Sequence, residues 1–207
     1  DRSTTVFLGE LSLDGAIKPV TGVIPAILAA KQAGFVRVVI PTGNAAEATL
    51  CQDMDIRVAS SLAEVVRFVC GEEELDHADD AASEPGTDSS ATRDMRDVAG
   101  QPEARRAAEI AAAGGHNFLM IGPPGSGKSM IAARLPGLLP DLTPDHKLEA
   151  TAVHSIAGRT FTGPITQPPF VAPHHSVTRA ALIGGGSGNP VPGAVSLAHR
   201  GVLFLDE

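Results

Sequence analysis

Eight consecutive residues, Gly122-Pro123-Pro124-Gly125-Ser126-Gly127-Lys128-Ser129, follow the pattern G-x-x-x-x-G-K-S/T, and the last six residues read Val-Leu-Phe-Leu-Asp-Glu. Glycine at these spacings lets a backbone curl until successive amide N–H groups point inward and chelate phosphate oxygens. A helix opening where the loop closes adds its positive N-terminal dipole to the same anion. Lys128 then places a point charge on the β- and γ-phosphates, and the Ser129 hydroxyl ligates Mg²⁺. The terminal apolar run delivers Asp206 and Glu207 to the carboxyl end of a strand, where ligands sit in open α/β sheets. Asp206 is expected in the Mg²⁺ shell, and Glu207 to orient and polarise an attacking water. Lys128 and Glu207 are thus the candidate catalytic residues, Ser129 and Asp206 the candidate metal ligands, and 122–129 the nucleotide cradle. The implied chemistry is binding and hydrolysis of Mg·ATP.

Two further clusters invite attention. His174-His175 follows Pro173, but no Cys, Asp or Glu stands at a helpful spacing, so a turn or structural role is expected over a metal site. Gly184-Gly185-Gly186-Ser187-Gly188 superficially resembles a second phosphate cradle. It lacks a lysine and is followed by Pro190 and Pro192 instead of a helix, which reads as a mobile hairpin tip.

The elements around these residues change character along the chain. Residues 6–11 and 17–20 are β-prone and flank Asp14-Gly15, which predicts a hairpin. Residues 24–32 have a helical pattern stopped by Gly34. Residues 36–40 form a β-branched run ended by Pro41, the best buried strand of this half. A short helix over 45–50 and a strand over 56–59 follow, and Ser61 with Glu64 forms a capping box for 62–69. From Arg96 the pattern is α/β: a helix over 101–112 with Pro102 in its first turn, and a buried strand over 118–121 feeding the loop. The helix opened by Lys128 runs on through 130–135 to Pro136, and Gly and Pro over 158–195 predict loops and hairpins.

Charge separates these halves. The chain carries a net charge of −8, and 72–94 alone has nine acids against one base, Arg93. With almost no large apolar side chain, that stretch cannot bury enough surface to offset the entropy of ordering, and reads as a flexible linker or a docking tail for a basic partner. The flanking parts are near neutral, so global charge says little about partners. Seven Phe with neither Trp nor Tyr leave few aromatics for a stacking platform on single-stranded nucleic acid. Cys51 and Cys70 have no zinc or redox spacing and are expected as small buried apolar residues of a reducing compartment. No apolar run approaches the roughly 18–20 residues of a membrane span, and no signal peptide is present, so a cytoplasmic protein without membrane contact is expected. The chain starts at Asp1 without methionine and stops on the acidic pair, which suggests a piece of a longer protein.

Several stretches together resemble a known family. Arg96-Asp97-Val98-Ala99-Gly100-Gln101, Ala111-Ala112-Ala113-Gly114-Gly115-His116-Asn117 and the phosphate loop look like the AAA+ core of the magnesium-chelatase-like ATPases. Ala172-Pro173-His174-His175, Ala181-Leu182-Ile183-Gly184-Gly185-Gly186, Pro192-Gly193 and the run from Ser196 to Glu207 are more specific still. Gly9-Glu10-Leu11-Ser12-Leu13-Asp14-Gly15 and Ala29-Ala30-Lys31-Gln32-Ala33-Gly34-Phe35, with Pro41 and Asn44 to Ala48, resemble the Lon-protease-like domain of the YifB/ComM branch. The resemblance implies an α/β chain with a Lon-protease-like α+β domain over 1–71, the linker over 72–94, and a truncated P-loop NTPase (AAA+) domain over 95–207. It implies a homo-hexameric Mg·ATP motor with Val98, Gly100 and Gln101 near the adenine and, for ComM-like members, a DNA helicase aiding branch migration. A magnesium chelatase motor subunit and a protein-binding regulatory ATPase are the alternatives. Pro169 and Val171 flank Phe170 where the family has basic residues, and Ala194 stands where it has Glu. Ile24 occupies the place of the lysine that would activate a serine in Lon-type proteolysis, so the first domain is expected to be non-catalytic. The sensors, arginine finger and lid of the family lie beyond Glu207, and weak or no hydrolysis by 1–207 is expected, because an arginine finger is worth about 10³–10⁵ in rate.

Overall fold

A computed structural model describes residues 4–81, 93–158, 164–186, 188 and 190–206. These residues fall into two compact units, one drawn from 1–88 with 144–165, the other from 89–143 with 166–207. Both mix helices with strands, and each contains parallel pairing.

In the first unit the β-branched run supplies the middle strand. Arg37–Pro41 pairs in parallel with Thr5–Phe7 on one edge and Asp55–Ala59 on the other, with Val38 opposite both Val6 and Ile56. Val38 and Ile40 pack with Val23, Ile24 and Ile27 of the helix Val23–Gln32, while Val39 packs with Ala59 and Leu75. A strand covered on both faces must be apolar throughout, which is why this one stands out in sequence. The helix ends as expected, with Ala33 as its cap and Gly34 at φ +85.

The expected strand over 6–11 is split. Thr5–Phe7 joins the parallel sheet, and Glu10–Leu11 pairs antiparallel with Ile17–Lys18 in the predicted hairpin. Gly9, at φ +149, marks the break, and a Cβ there would come within 2.6 Å of Ile17 Cγ2. Both the dihedral and the close approach call for glycine.

The acidic stretch is partly folded, unlike the flexible linker its composition suggests. Leu75 is buried against Val39 and Ala59, Ala78 joins the main core, and Ala78–Ala81 is a short helix. The Val58 amide donates to the Asp76 carbonyl at 3.0 Å, and Arg57 Nη1 donates to the Leu75 carbonyl at 2.7 Å. The segment thereby covers the open edge of Asp55–Ala59, a service that a single leucine and its backbone perform despite the surrounding acids. Residues 82–92 lie outside the described residues. One cysteine also departs from expectation: Cys51 is buried, but Cys70, in the last turn of Leu62–Cys70, is exposed.

The helix Pro144–Ile156 belongs to the first unit, although the expected division placed all of 95–207 together. Its Ala150, Thr151 and Ser155 are buried, and it packs along Val23–Gln32. Ser155 Oγ accepts the Gly22 amide at 3.1 Å, and Thr151 Oγ1 accepts the Ile165 amide at 3.1 Å.

The second unit builds its core from Met95, Val98, Ala108 and Ile131, with Phe118, Met120 and Leu135 packed against them. Pro102–Gly114 is helical with Pro102 in its first turn and Gly115 in the left-handed cap position. Residues 118–121 are extended, but they form no strand with any described residue. Phe118 and Met120 face the core, while Leu119 and Ile121 stand 81% and 91% exposed. The helix after the loop is shorter than predicted, ending at Ala132 before a 3-10 turn over Pro136–Leu138. Downstream, Phe170–Val171 pairs in parallel with Val202–Leu203, and the rings of Phe170 and Phe204 stack at 6.3 Å. Gly184–Gly185 pairs antiparallel with Val191–Pro192, the hairpin that turn chemistry predicted, with Ser187 and Asn189 outside the described residues.

Candidate functional site

The phosphate loop hangs between the extended segment 118–121 and the helix Lys128–Ala132. Gly125 at φ +80 and Gly127 at φ +89 make the turn that reverses the chain. Gly122 has a different reason to be glycine, because a Cβ there would stand 2.8 Å from Ser126 Oγ. The Lys128 ammonium curls back and donates to the carbonyls of Gly122 at 2.9 Å and Pro123 at 3.2 Å. Gln101 Nε2 donates to the Ser126 carbonyl at 3.3 Å, tying the loop to the start of the helix Pro102–Gly114.

The acid-bearing strand reaches the same place. Val202 donates to the Pro169 carbonyl at 2.8 Å and Phe204 to the Val171 carbonyl at 2.9 Å, which fixes the strand's register. Gly201 permits that approach, since a Cβ would lie 2.1 Å from the Pro169 carbonyl oxygen. At the strand's end, Ser129 Oγ donates to Asp206 Oδ2 at 3.0 Å, across 77 positions of sequence. Glu207 lies outside the described residues.

A cavity of about 730 Å³ opens on this pair. Its walls are Pro124 to Met130 and Ala133 on one side, and Phe170, Ala172 to His175, Phe204 and Asp206 on the other, with Arg93 also on the lining. A second cavity of about 310 Å³, lined by Gln101, Ala104, Phe118 to Ile121, Ser126 and Lys128 among others, adjoins the loop. The loop residues Pro124, Gly125, Ser126, Gly127, Lys128 and Ser129 therefore meet Asp206 in one space. Gly122 and Pro123 meet the site through the carbonyls that hold Lys128. Of the residues expected near an adenine, Gln101 lines the second cavity, Gly100 lines neither, and the Val98 side chain is buried in the core.

Sequence reasoning missed Arg93, His174 and His175. Arg93 was absorbed into the acidic stretch, and the histidines were read as a turn. Only the pairing of Phe170–Val171 with Val202–Leu203 brings the histidine pair beside the loop, and that pairing has no local signature. Among the described residues no group of three or more His, Cys, Asp and Glu gathers at metal-binding distances. What the site offers is one hydroxyl and one carboxylate, hard oxygen donors that suit a small divalent cation keeping most of its water.

Comparisons with known proteins place these features. The family model described as magnesium chelatase, subunit ChlI, matches residues 94–207, and a second, described as subunit ChlI of Mg-chelatase, matches 1–44. Over 98% of its length the chain is 53% identical to an uncharacterised protein of Mycobacterium tuberculosis, covering 40% of that protein. It is 46% identical to the competence protein ComM of Haemophilus influenzae over 97% of the chain and 40% of that protein. It is 41% identical to the uncharacterised protein YifB of Escherichia coli over 97% of the chain and 39% of that protein. A shorter match, 52% identical over 42 residues, is to Lon protease 2 of Bacillus subtilis, covering 20% of the chain and 8% of that protease. The chain thus spans about two fifths of the length of the long relatives it matches.

Proposed function

The chain belongs to the magnesium chelatase subunit ChlI family, and from that premise we propose that it binds Mg·ATP and, within a longer protein, hydrolyses it as part of an AAA+ motor. The observation that carries this reading is the 3.0 Å bond between Ser129 Oγ and Asp206 Oδ2, which gathers the loop and the acidic strand on one cavity. When bound, Mg·ATP supplies the transferable phosphoryl group and a metal charge shared by its β- and γ-oxygens. Lys128 supplies the loop's own charge, and exchanges the carbonyls of Gly122 and Pro123 for phosphate oxygens. The amides of 124–129 orient the anion, Ser129 and Asp206 hold the metal side, and Glu207 polarises water. Gln101, with Gly100 and the buried Val98 beneath it, sets the wall for the base.

We read the second unit as part of a P-loop NTPase (AAA+) domain and the first as Lon-protease-like without proteolytic chemistry. Ile24, in the place of a catalytic lysine, is fully buried in the apolar core, and no desolvated amine stands there to activate a serine. In the longer protein this reading assembles a homo-hexamer that acts on DNA. Asp206→Asn is expected to weaken Mg·ATP about tenfold or more while leaving metal-free ATP nearly unchanged, consistent with loss of one charged ligand. Equal weakening with and without Mg²⁺ would contradict the metal assignment. In the longer protein, ATP turnover stimulated by branched or single-stranded DNA supports the DNA reading. Stimulation by a porphyrin alone, or by a protein partner alone, replaces it with a chelatase motor or a regulatory ATPase.

A further inference from the structure

We propose that His174 is a nucleotide-positioning residue that donates from Nε2 to the terminal phosphate of a bound nucleoside triphosphate, so that the site tells triphosphate from diphosphate. The proposal rests on the nucleotide reading of the larger cavity and deepens it. His174 Nδ1 is 2.7 Å from Ser176 Oγ and accepts the Ser176 backbone amide at 3.3 Å. A backbone amide can only donate, so Nδ1 must carry the lone pair, and in the neutral ring the proton sits on Nε2. Ser176 thereby fixes both the tautomer and the ring's direction, as the second partner of a functional histidine commonly does. His175 packs on the same ring at 3.9 Å between centroids, further restricting it. His174 Nε2 has no partner among the described residues, and the side chain lines the cavity opposite the phosphate loop.

The position within the site selects the phosphate. Ser129 and Asp206 line the cavity that holds His174, whereas Gln101 lines the other. In phosphoryl-transfer sites the metal bridges the β- and γ-oxygens, so the end marked by a metal-holding pair is the terminal one. Arg93 on the same lining adds positive charge where an anion would end. His174 is also anchored to the acid-bearing strand, since Phe170–Val171, just before it, is that strand's parallel partner.

The test titrates the full chain, with Mg²⁺, against a fluorescent non-hydrolysable ATP analogue and against the matching ADP analogue. His174→Ala is expected to weaken the triphosphate about tenfold, the loss of one hydrogen bond to a charged group, and to shift the diphosphate by less than about twofold. His174→Gln, whose amide can donate near the Nε2 position, is expected to recover most of that loss, which a space-filling role would not predict. Equal weakening of both nucleotides in His174→Ala, or weakening of neither, overturns the proposal and leaves nucleotide binding standing. A wild-type chain that binds neither nucleotide overturns both readings.

Discussion

At the scale of single residues, the site concentrates its chemistry in few side chains, and its neighbours differ sharply in exposure. Lys128 satisfies two loop carbonyls, so its removal costs the loop those bonds as well as the charge meant for phosphate. Lys128→Ala should therefore abolish measurable Mg·ATP binding in an equilibrium titration, a loss of about 100-fold or more for a charge-assisted contact to a polyanion. In the longer protein, Glu207→Gln should keep nucleotide affinity while stopping turnover, and wild-type turnover in that variant would mean another group polarises the water. The two thiols make a separate contrast. Burial, with the Glu47 carboxylate adding to it, pushes the Cys51 thiol up to about 11, while Cys70 is exposed. Because the thiolate is the reactive form, Cys70 should react with a thiol reagent at pH 8 at once, and Cys51 only after unfolding. Two equally fast thiols in the folded chain would contradict the burial of Cys51.

At the scale of elements, the start of the helix Leu62–Cys70 shows how a local signal becomes stability. Ser61 Oγ accepts the Glu64 amide at 3.4 Å, and the Glu64 carboxylate accepts the Ser60 hydroxyl at 2.6 Å and the Ser60 amide at 2.8 Å. These bonds, the Ser60 hydroxyl first, hold the Glu64 carboxyl below the ordinary glutamate range. A depressed carboxyl stabilises the fold above its unfolded value and loses that contribution as pH falls through the folded value. Glu64→Ala should cost about 0.5–2 kcal/mol near neutrality, the usual worth of a helix N-terminal cap. The difference from wild type should shrink in acid, read from urea midpoints across pH, and a constant difference would mean the carboxylate is not responsible. Such capping chemistry, like the buried run Arg37–Pro41 and the glycine after Val23–Gln32, was legible in sequence because each depends on adjacent residues. The segment 118–121 was not, because a strand needs a partner and apolar alternation cannot say where that partner lies. The same blindness hid His174, whose relation to the loop exists only through the pairing of Phe170–Val171 with Val202–Leu203. Leu75 was missed for another reason: an average over many acids conceals the one apolar side chain that anchors them.

At the scale of the whole molecule, sequence order and spatial grouping part company between the loop and the acidic strand. The helix Pro144–Ile156 lies between them in sequence, yet its buried Thr151 and Ser155 serve the first unit. Ser155 accepts an amide at the head of Val23–Gln32, and Thr151 accepts the amide of Ile165. Thr151→Val keeps the volume and leaves the Ile165 amide without that acceptor, which should cost about 1–3 kcal/mol. If the grouping is right, hydrogen exchange should quicken in Val23–Gln32 and Pro144–Ile156, while nucleotide affinity stays within about twofold, since effects at separated sites are nearly independent. Lost nucleotide affinity with unchanged protection in Val23–Gln32 would assign the helix to the second unit instead. The outcome bears on how a motor of this family divides its labour. A helix held by the first unit makes residues 144–165 a piece of scaffold, and leaves the loop and the strand from Val202 to Asp206 to complete the site through Ser129 and Asp206 alone.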